Sequence, residues 1–440
     1  MKHLRLLHIG CAVLLTTLVM AQGSGKQQVA PYFRNALTTM MVFHPEDELG
    51  YELYEIFKTM PEMDKFDKHD VRLNIIDNSE VSGVKANEKG FHRQTYGGSM
   101  VLTDSEKDQN AKAILAMLNK AQVGKRMVAT WFDLQGKTMT EARFSTKLLS
   151  QRTQYNATVQ EGISTRYTIE GENALKAVGE DLIGHSFVLV NDMTYITAEN
   201  RAKAAIITMQ ILGAIIDVFT QSDAGSRLAE SVADIASMFT GFKVMTHSYL
   251  YQLEWDERIS DIFYRKYYCE QPEPMKVLAF LEDTTSFKLK YIGTESAFYE
   301  KTKTKGKYTR RNLLELVTHQ SMDNNIAKLQ SEYEAFRIKT AISAVETAAD
   351  DNSTVYRALV GLKEGVSEER EYEVLEAKLV KGRLVYDRVA VVKPVINHIW
   401  DNRFNAVIEG DMDIITKGTL FKPVGVVSKT IVPGMLVREL

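Results

Sequence analysis

The side chains able to do chemistry are spread thinly along this chain. There are nine histidines, and those beyond the first stretch stand at His44, His69, His92, His185, His247, His319 and His398. None lies three or four residues from another, so no helical turn presents a ready metal pair. No G-x-S-x-G nucleophile elbow, H-E-x-x-H zinc helix or G-x-x-x-x-G-K-[ST] phosphate loop occurs. "GKYTRRN" has a glycine and a lysine without the spacing that cradles phosphate. "MDKFDKHD" sets Asp64, Asp67 and Asp70 three apart, whereas a calcium loop wants alternate carboxylates and a glycine at its sharp turn. A solvated helix end or turn accounts for them, and a turn accounts for Asp411 and Asp413. Catalytic, cofactor-binding and metal residues are therefore assigned to none. A hydrolase would need distant residues brought together, for instance His185 or His247 with carboxylates nearby.

Two stretches are better suited to contact than to catalysis. "ITMQILGAIIDVF", Ile207 to Phe219, belongs to a predicted helix from a Thr197 cap to about Ser222. Glu199, Lys203, Gln210, Asp217 and Gln221 form one narrow polar wedge on it, and Ile207, Ile211 and Ile215 lie on the apolar surface. The unbroken apolar run is too short to cross a bilayer, and Asp217 near its centre would cost about 3 kcal/mol. Burial in a core or an oligomer is the first reading, with contact at a membrane surface and pore lining as the others. "SRLAESVADIASMF" then makes a second helix of an apolar hairpin. The other stretch, residues 299–311, carries Lys301, Lys303, Lys305, Lys307, Arg310 and Arg311. A hairpin about Gly306 would put the lysines on one side, where they could meet an anionic surface. A solvated hairpin or a lysine-guarded edge strand explains the same residues.

Around these stretches the composition is globular, at 45% hydrophobic and 25% charged, with ample material for a core. The net charge of −3 gives no support to nucleic-acid binding. The N-terminus has a basic start (Lys2, Arg5), an apolar centre from about Leu6 to Val19, and Val19 and Ala21 as the small residues before cleavage. That layout predicts a signal peptide over residues 1–21, cleaved after Ala21, and no transmembrane span in the mature chain. Cys11 lies within the apolar run, so only Cys269 would remain, read as a small buried hydrophobe.

The elements predict an α+β protein. An N-terminal α/β sheet-and-helix domain fills residues 22–196, built on two helix–glycine–strand units that align Gly124 with Gly184. The apolar helical hairpin follows at 197–240, then a mixed α/β region at 241–335 in which "VLAFLED" and "SFKLKYIG" read as strands. A small antiparallel β-barrel or sandwich closes the chain at 336–440, with short strands between "DDNS", "KEG", "VKG" and "EGD".

"ALVGLKEGVSEEREYEVLE" resembles the first strands of small barrels in envelope-assembly proteins, through Gly361, Gly365, Val366, Tyr372, Val374 and Leu375. "ALKAVGEDLIGHSFVLVND" resembles the helix–strand step of TolB-like and CsgG-like α/β domains. A TolB-like domain followed by a small barrel is the layout of flagellar assembly protein T. The whole chain is similar to signal-bearing envelope proteins of the Bacteroidota. These resemblances imply an exported, non-enzymatic scaffold or assembly factor of the periplasm or outer membrane. Its partners would be other envelope proteins or further copies of itself. The alternatives are the exported hydrolase and a membrane-active oligomer that uses residues 206–219.

Overall fold

The computed structural model of the chain describes residues 35–60, 66–82, 102–136, 138–152, 178–197, 241–302, 308–337, 339–348, 351–380, 383–402 and 418–440. In chain order the strands are β1 (Ala36–Phe43), β2 (Asp67–Lys68), β3 (Ile75–Asp77), β4 (Ser186–Thr197), β5 (Gly241–Leu253) and β6 (Leu289–Thr302). They are followed by β7 (Lys339–Thr347), β8 (Thr354–Ala358), β9 (Tyr372–Val380), β10 (Arg383–Pro394), β11 (Thr419–Val424) and β12 (Leu436–Glu439). The helices are α1 (Gly50–Thr59), α2 (Asn78–Ser82), α3 (Asp104–Lys120), α4 (Val123–Trp131), α5 (Glu257–Ile262), α6 (Pro274–Glu282) and α7 (Arg310–Glu332).

The first six strands form one sheet in the order β2-β1-β4-β5-β6, with β3 also paired to β1. β1 runs parallel to β2, β3 and β4, whereas β4, β5 and β6 are antiparallel neighbours. The mixed α/β region expected over 241–335 is thus not separate: β5 and β6 complete the N-terminal sheet. The long antiparallel pairing of β5 with both neighbours removes any boundary at residue 241.

Each sheet face is buried under its own helices. On one side α3, α4 and the α5–α6 region pack against Met40, Val42, Val188, Val190, Tyr249 and Tyr251. On the other, α1 and α7 pack against Met41, Met193, Phe242 and Val244. α1 turns Leu53, Ile56 and Phe57 inward as its spacing predicts. α3 starts earlier than its apolar face shows, because Thr103 and Glu106 close a capping box at Asp104. Thr103→Ala is expected to cost about 1 kcal/mol in urea unfolding.

Two predicted strands are helices. Residues 123–131 form α4, so the first helix–glycine–strand unit, and the duplication aligned on Gly124, do not hold. Gln122, not Gly124, takes the left-handed conformation after α3 (φ +56°). Gly124 lies inside α4, where an added Cβ would stand 2.8 Å from the Phe287 carbonyl oxygen. The second unit does hold: residues 178–184 are helical, and Ser186 opens β4. "VLAFLED" lies mostly in α6, which Pro274 starts at its first turn.

The C-terminal strands close into a barrel in the order β10-β11-β8-β7-β12-β9. "DDNS" joins β7 to β8 and "VKG" joins β9 to β10, as their composition predicts; "EGD" lies outside the described residues. Ile342, Tyr356, Val374, Val392, Phe421 and Val437 fill the interior. Buried Glu373 on β9 holds Arg388 of β10 at 2.6 Å and Arg438 of β12 at 2.8 Å, tying three strands together. The barrel rests on α7: Lys363 reaches Asp323 at 3.6 Å, and Arg370 meets Ser331 and Glu439. Thr284 and Thr285, in the turn before β6, are exposed.

Candidate functional site

The sheet alternation places polar side chains in two rows, one on each face of β4 and β5. On the α3 face, His44 follows β1, Asp192 lies on β4, His247 pairs with Asp192 from β5, and Ser296 pairs with His247 from β6. His44 Nε2 donates to Asp192 Oδ1 at 2.7 Å, and its Nδ1 accepts from Asn78 Nδ2 at 3.2 Å. The ring is 4% exposed, and Glu46 Oε1 also stands 3.4 Å from its Nδ1. His247 Nδ1 meets Ser296 Oγ at 2.7 Å, and His247 Nε2 is buried with no hydrogen-bond partner among the described residues. Burial lowers the proton affinity of His247 and outweighs the carboxylate of Asp192, which raises it; Lys107 lowers it further.

This is the nearest approach to a nucleophile and base that the described residues provide. A serine in reach of a histidine is half of a hydrolytic constellation, and the base must also be oriented by a third group. Here Asp192 holds His44 by hydrogen bond. His44, Asp192 and His247 are all nearly inaccessible. The arrangement links neighbouring strands through buried polar contacts and so reinforces their register. Asp192→Ala is expected to lower stability by about 1–3 kcal/mol in urea, since it strands a buried His44 nitrogen. His185, the other histidine named for a hydrolase, bonds through Nδ1 to the Asp181 carbonyl at 2.7 Å and lies 3.4 Å from its carboxylate. It is apart from the His247 row, at the start of β4.

On the opposite face, α7 meets the sheet through hydrogen bonds. Tyr195 OH and Thr318 Oγ1 are 2.7 Å apart, Thr246 and Ser321 hydroxyls 2.6 Å, and Asn325 Nδ2 donates to Ser248 Oγ at 2.8 Å. Ser248 in turn donates to Asn191 at 2.6 Å. Sequence reasoning missed this row. Its signal was the three- and four-residue spacing of Thr318, Ser321 and Asn325 beside the apolar positions of α7.

The described residues that flank the two predicted contact stretches meet at one end of the sheet. Thr197, the last residue of β4, pairs with Phe242; Gly241 pairs with Thr302, and Phe242 with Lys301. The ends of residues 198–240 are therefore rooted beside the start of the basic stretch. Ile207, Ile211, Ile215 and Asp217 lie outside the described residues, as do Ala21, Lys303, Lys305 and Lys307. The basic stretch is not followed by the returning strand of a hairpin, because α7 begins at Arg310, capped by Thr309. Arg310 is committed within the fold: its Nη1 contacts both Glu52 oxygens, at 2.8 and 2.7 Å, and its guanidinium lies over the Phe242 ring. Arg311 is exposed. Phe298 on β6 is 42% exposed, with Lys243 Nζ 4.2 Å above its ring.

No described helix is long and apolar enough to cross a membrane. Among the described residues, no three His, Cys, Asp or Glu side chains are grouped to hold a metal ion. Compared with known proteins, the chain matches no family model, no curated protein and no solved structure.

Proposed function

We propose that this is an exported, non-enzymatic envelope protein, a periplasmic or outer-membrane-associated scaffold whose sheet end is its contact end. One observation carries the reading. The pairing of Thr197 with Phe242, and of Phe242 with Lys301, roots the most apolar internal stretch and the most basic one side by side. Segments rich in apolar residues and in lysine therefore leave the sheet from neighbouring strand ends, a pairing of residue types suited to docking on protein partners. The inward commitment of the His247 row supports the non-enzymatic part of the reading, and the three-part N-terminus supports export.

Flotation separates this reading from the membrane-active one. The chain without residues 1–21 would be mixed with vesicles of phosphatidylethanolamine and phosphatidylglycerol, beside a variant carrying Ile211→Lys and Ile215→Lys. The scaffold reading expects the parent to remain in the dense fraction. A parent that floats, beside a variant that is folded and does not, would replace the scaffold with a membrane-active oligomer using residues 206–219.

A further inference from the structure

The hairpin that joins β7 to β8 ends in a tight turn. Thr347 pairs with Thr354, and the Ala348 N–H donates to the Ser353 carbonyl at 2.8 Å. The Asn352 N–H donates to the Ala348 carbonyl at 3.1 Å, and Asn352 takes the left-handed conformation (φ +54°). Asp351 braces the turn: one oxygen accepts from the Ser353 N–H at 2.9 Å and the other from Lys422 of β11 at 2.5 Å. Asn352 and Thr354 are both exposed, and neither side chain makes a hydrogen bond among the described residues.

Asn352, Ser353 and Thr354 read N-x-T, the tripeptide that accepts N-linked sugar in exported chains. The same tripeptide pattern begins at Asn156, which lies outside the described residues. Its place in the fold is what recommends Asn352. An amide nitrogen is a poor nucleophile, because its lone pair is delocalised into the carbonyl. It reacts when an enzyme holds the amide together with the hydroxyl two residues on, so both groups must be within an enzyme's reach. Asn352 and Thr354 are accessible and unengaged, whereas asparagines such as Asn110 and Asn191 are fully buried. The turn also closes the end of a strand ladder, the kind of place that opens locally at small cost.

We propose that Asn352 is a glycosylation site that takes an N-linked oligosaccharide from a lipid-linked sugar pyrophosphate. A bond forms between Asn352 Nδ2 and the anomeric carbon of the sugar. The bond from that carbon to the pyrophosphate oxygen breaks, and the pyrophosphate leaves on its lipid with the electron pair. The amide nitrogen gives up one proton, and nothing is oxidised or reduced. The proposal rests on the export reading, because the transfer takes place on the far side of the exporting membrane.

The test is mass spectrometry of the full chain purified from cells of its native organism. Trypsin releases residues 340–357 as one peptide, in which Asn352 is the sole asparagine. That peptide is expected to carry whole sugar residues on Asn352, located by electron-transfer fragmentation and released by a peptide-N-glycosidase. Asn352→Gln and Thr354→Ala should each abolish the added mass, whereas Thr354→Ser, which keeps the hydroxyl, should retain it. Sugar on Ser353, Thr354 or another hydroxyl would overturn the proposal in favour of an O-linkage. A bare peptide from a chain that begins at Gln22 would overturn it and leave the export reading standing. A bare peptide from a chain that still begins at Met1 would overturn both. If a variant does not fold, the spectrum of the parent decides.

Discussion

Lowering the pH from 7 to 4 is expected to remove most of the stability of this protein. Two buried histidines set the direction. Burial lowers His69 to about 4 against an ordinary 6.5, even though it bonds to the Met127 carbonyl at 2.7 Å. Burial and the nearby Lys363 lower His319 to about 3. Between those values and 6.5 the unfolded chain binds more protons than the folded one, so stability falls with falling pH. The contribution is fully present above about pH 6.5 and is lost progressively down to the folded values. At 1.36 kcal/mol per unit, a fall to pH 4 costs about 3 kcal/mol through each of His69 and His319. Typical domains have only about 5–15 kcal/mol in total. Carboxylates held low by their partners, such as Glu346 beside Arg357, act only near and below pH 4. The window between pH 6.5 and 4.5 therefore belongs to the histidines. Urea midpoints measured across it should fall steeply, and His69→Gln should remove close to one proton from the slope. A flat profile there would mean that His69 and His319 are not buried as described.

Phe263→Ala should be the most damaging single truncation, at about 3–5 kcal/mol. The ring is completely buried, with its centroid 4.2 Å from Phe132, 5.3 Å from Phe144, 5.9 Å from Trp255 and 6.0 Å from Phe280. It stands where α5 widens into a π turn over Phe263–Tyr267, and those rings come from segments far apart in sequence. Removing it leaves a cavity that rigid neighbours cannot close, because each is itself packed against other rings. Phe263→Leu refills much of the space and should cost about 1.5 kcal/mol. Chemical unfolding of both variants checks the order. Equal, small effects would show that the aromatic cluster relaxes.

What the sequence disclosed follows from how far its periodic signals run. α7 and α1 show an apolar face over several turns, and the barrel strands are punctuated by turn residues, so these elements were legible. "VLAFLE" is six residues long and apolar on both sides; Val277 and Phe280 face inward while Leu278 and Leu281 are exposed. Alternation and helical period cannot be told apart over that length. Pro274 at the first helical position was the deciding signal. In α4 the readable clue was the spacing of Val123, Met127, Val128 and Trp131, all buried and all on one helical face. The polar rows were hidden for a different reason. His44, Asp192, His247 and Ser296 become neighbours only through strand register, which no local pattern specifies. The same is true of the sheet end, where residues 197, 241 and 302 meet.

The central claim is that partners engage the sheet end where β4 stops, β5 starts and β6 stops. The direct test places a photo-crosslinking amino acid at Lys243 or Phe298, near that end. A control position is Lys290, which pairs with Gln252 near the other end of β5. Each variant would be irradiated in intact cells of the native organism and its envelope fraction examined. The account predicts discrete adducts from Lys243 or Phe298 and none from Lys290. Adducts of equal strength from all three positions, or from Lys290 alone, would contradict it.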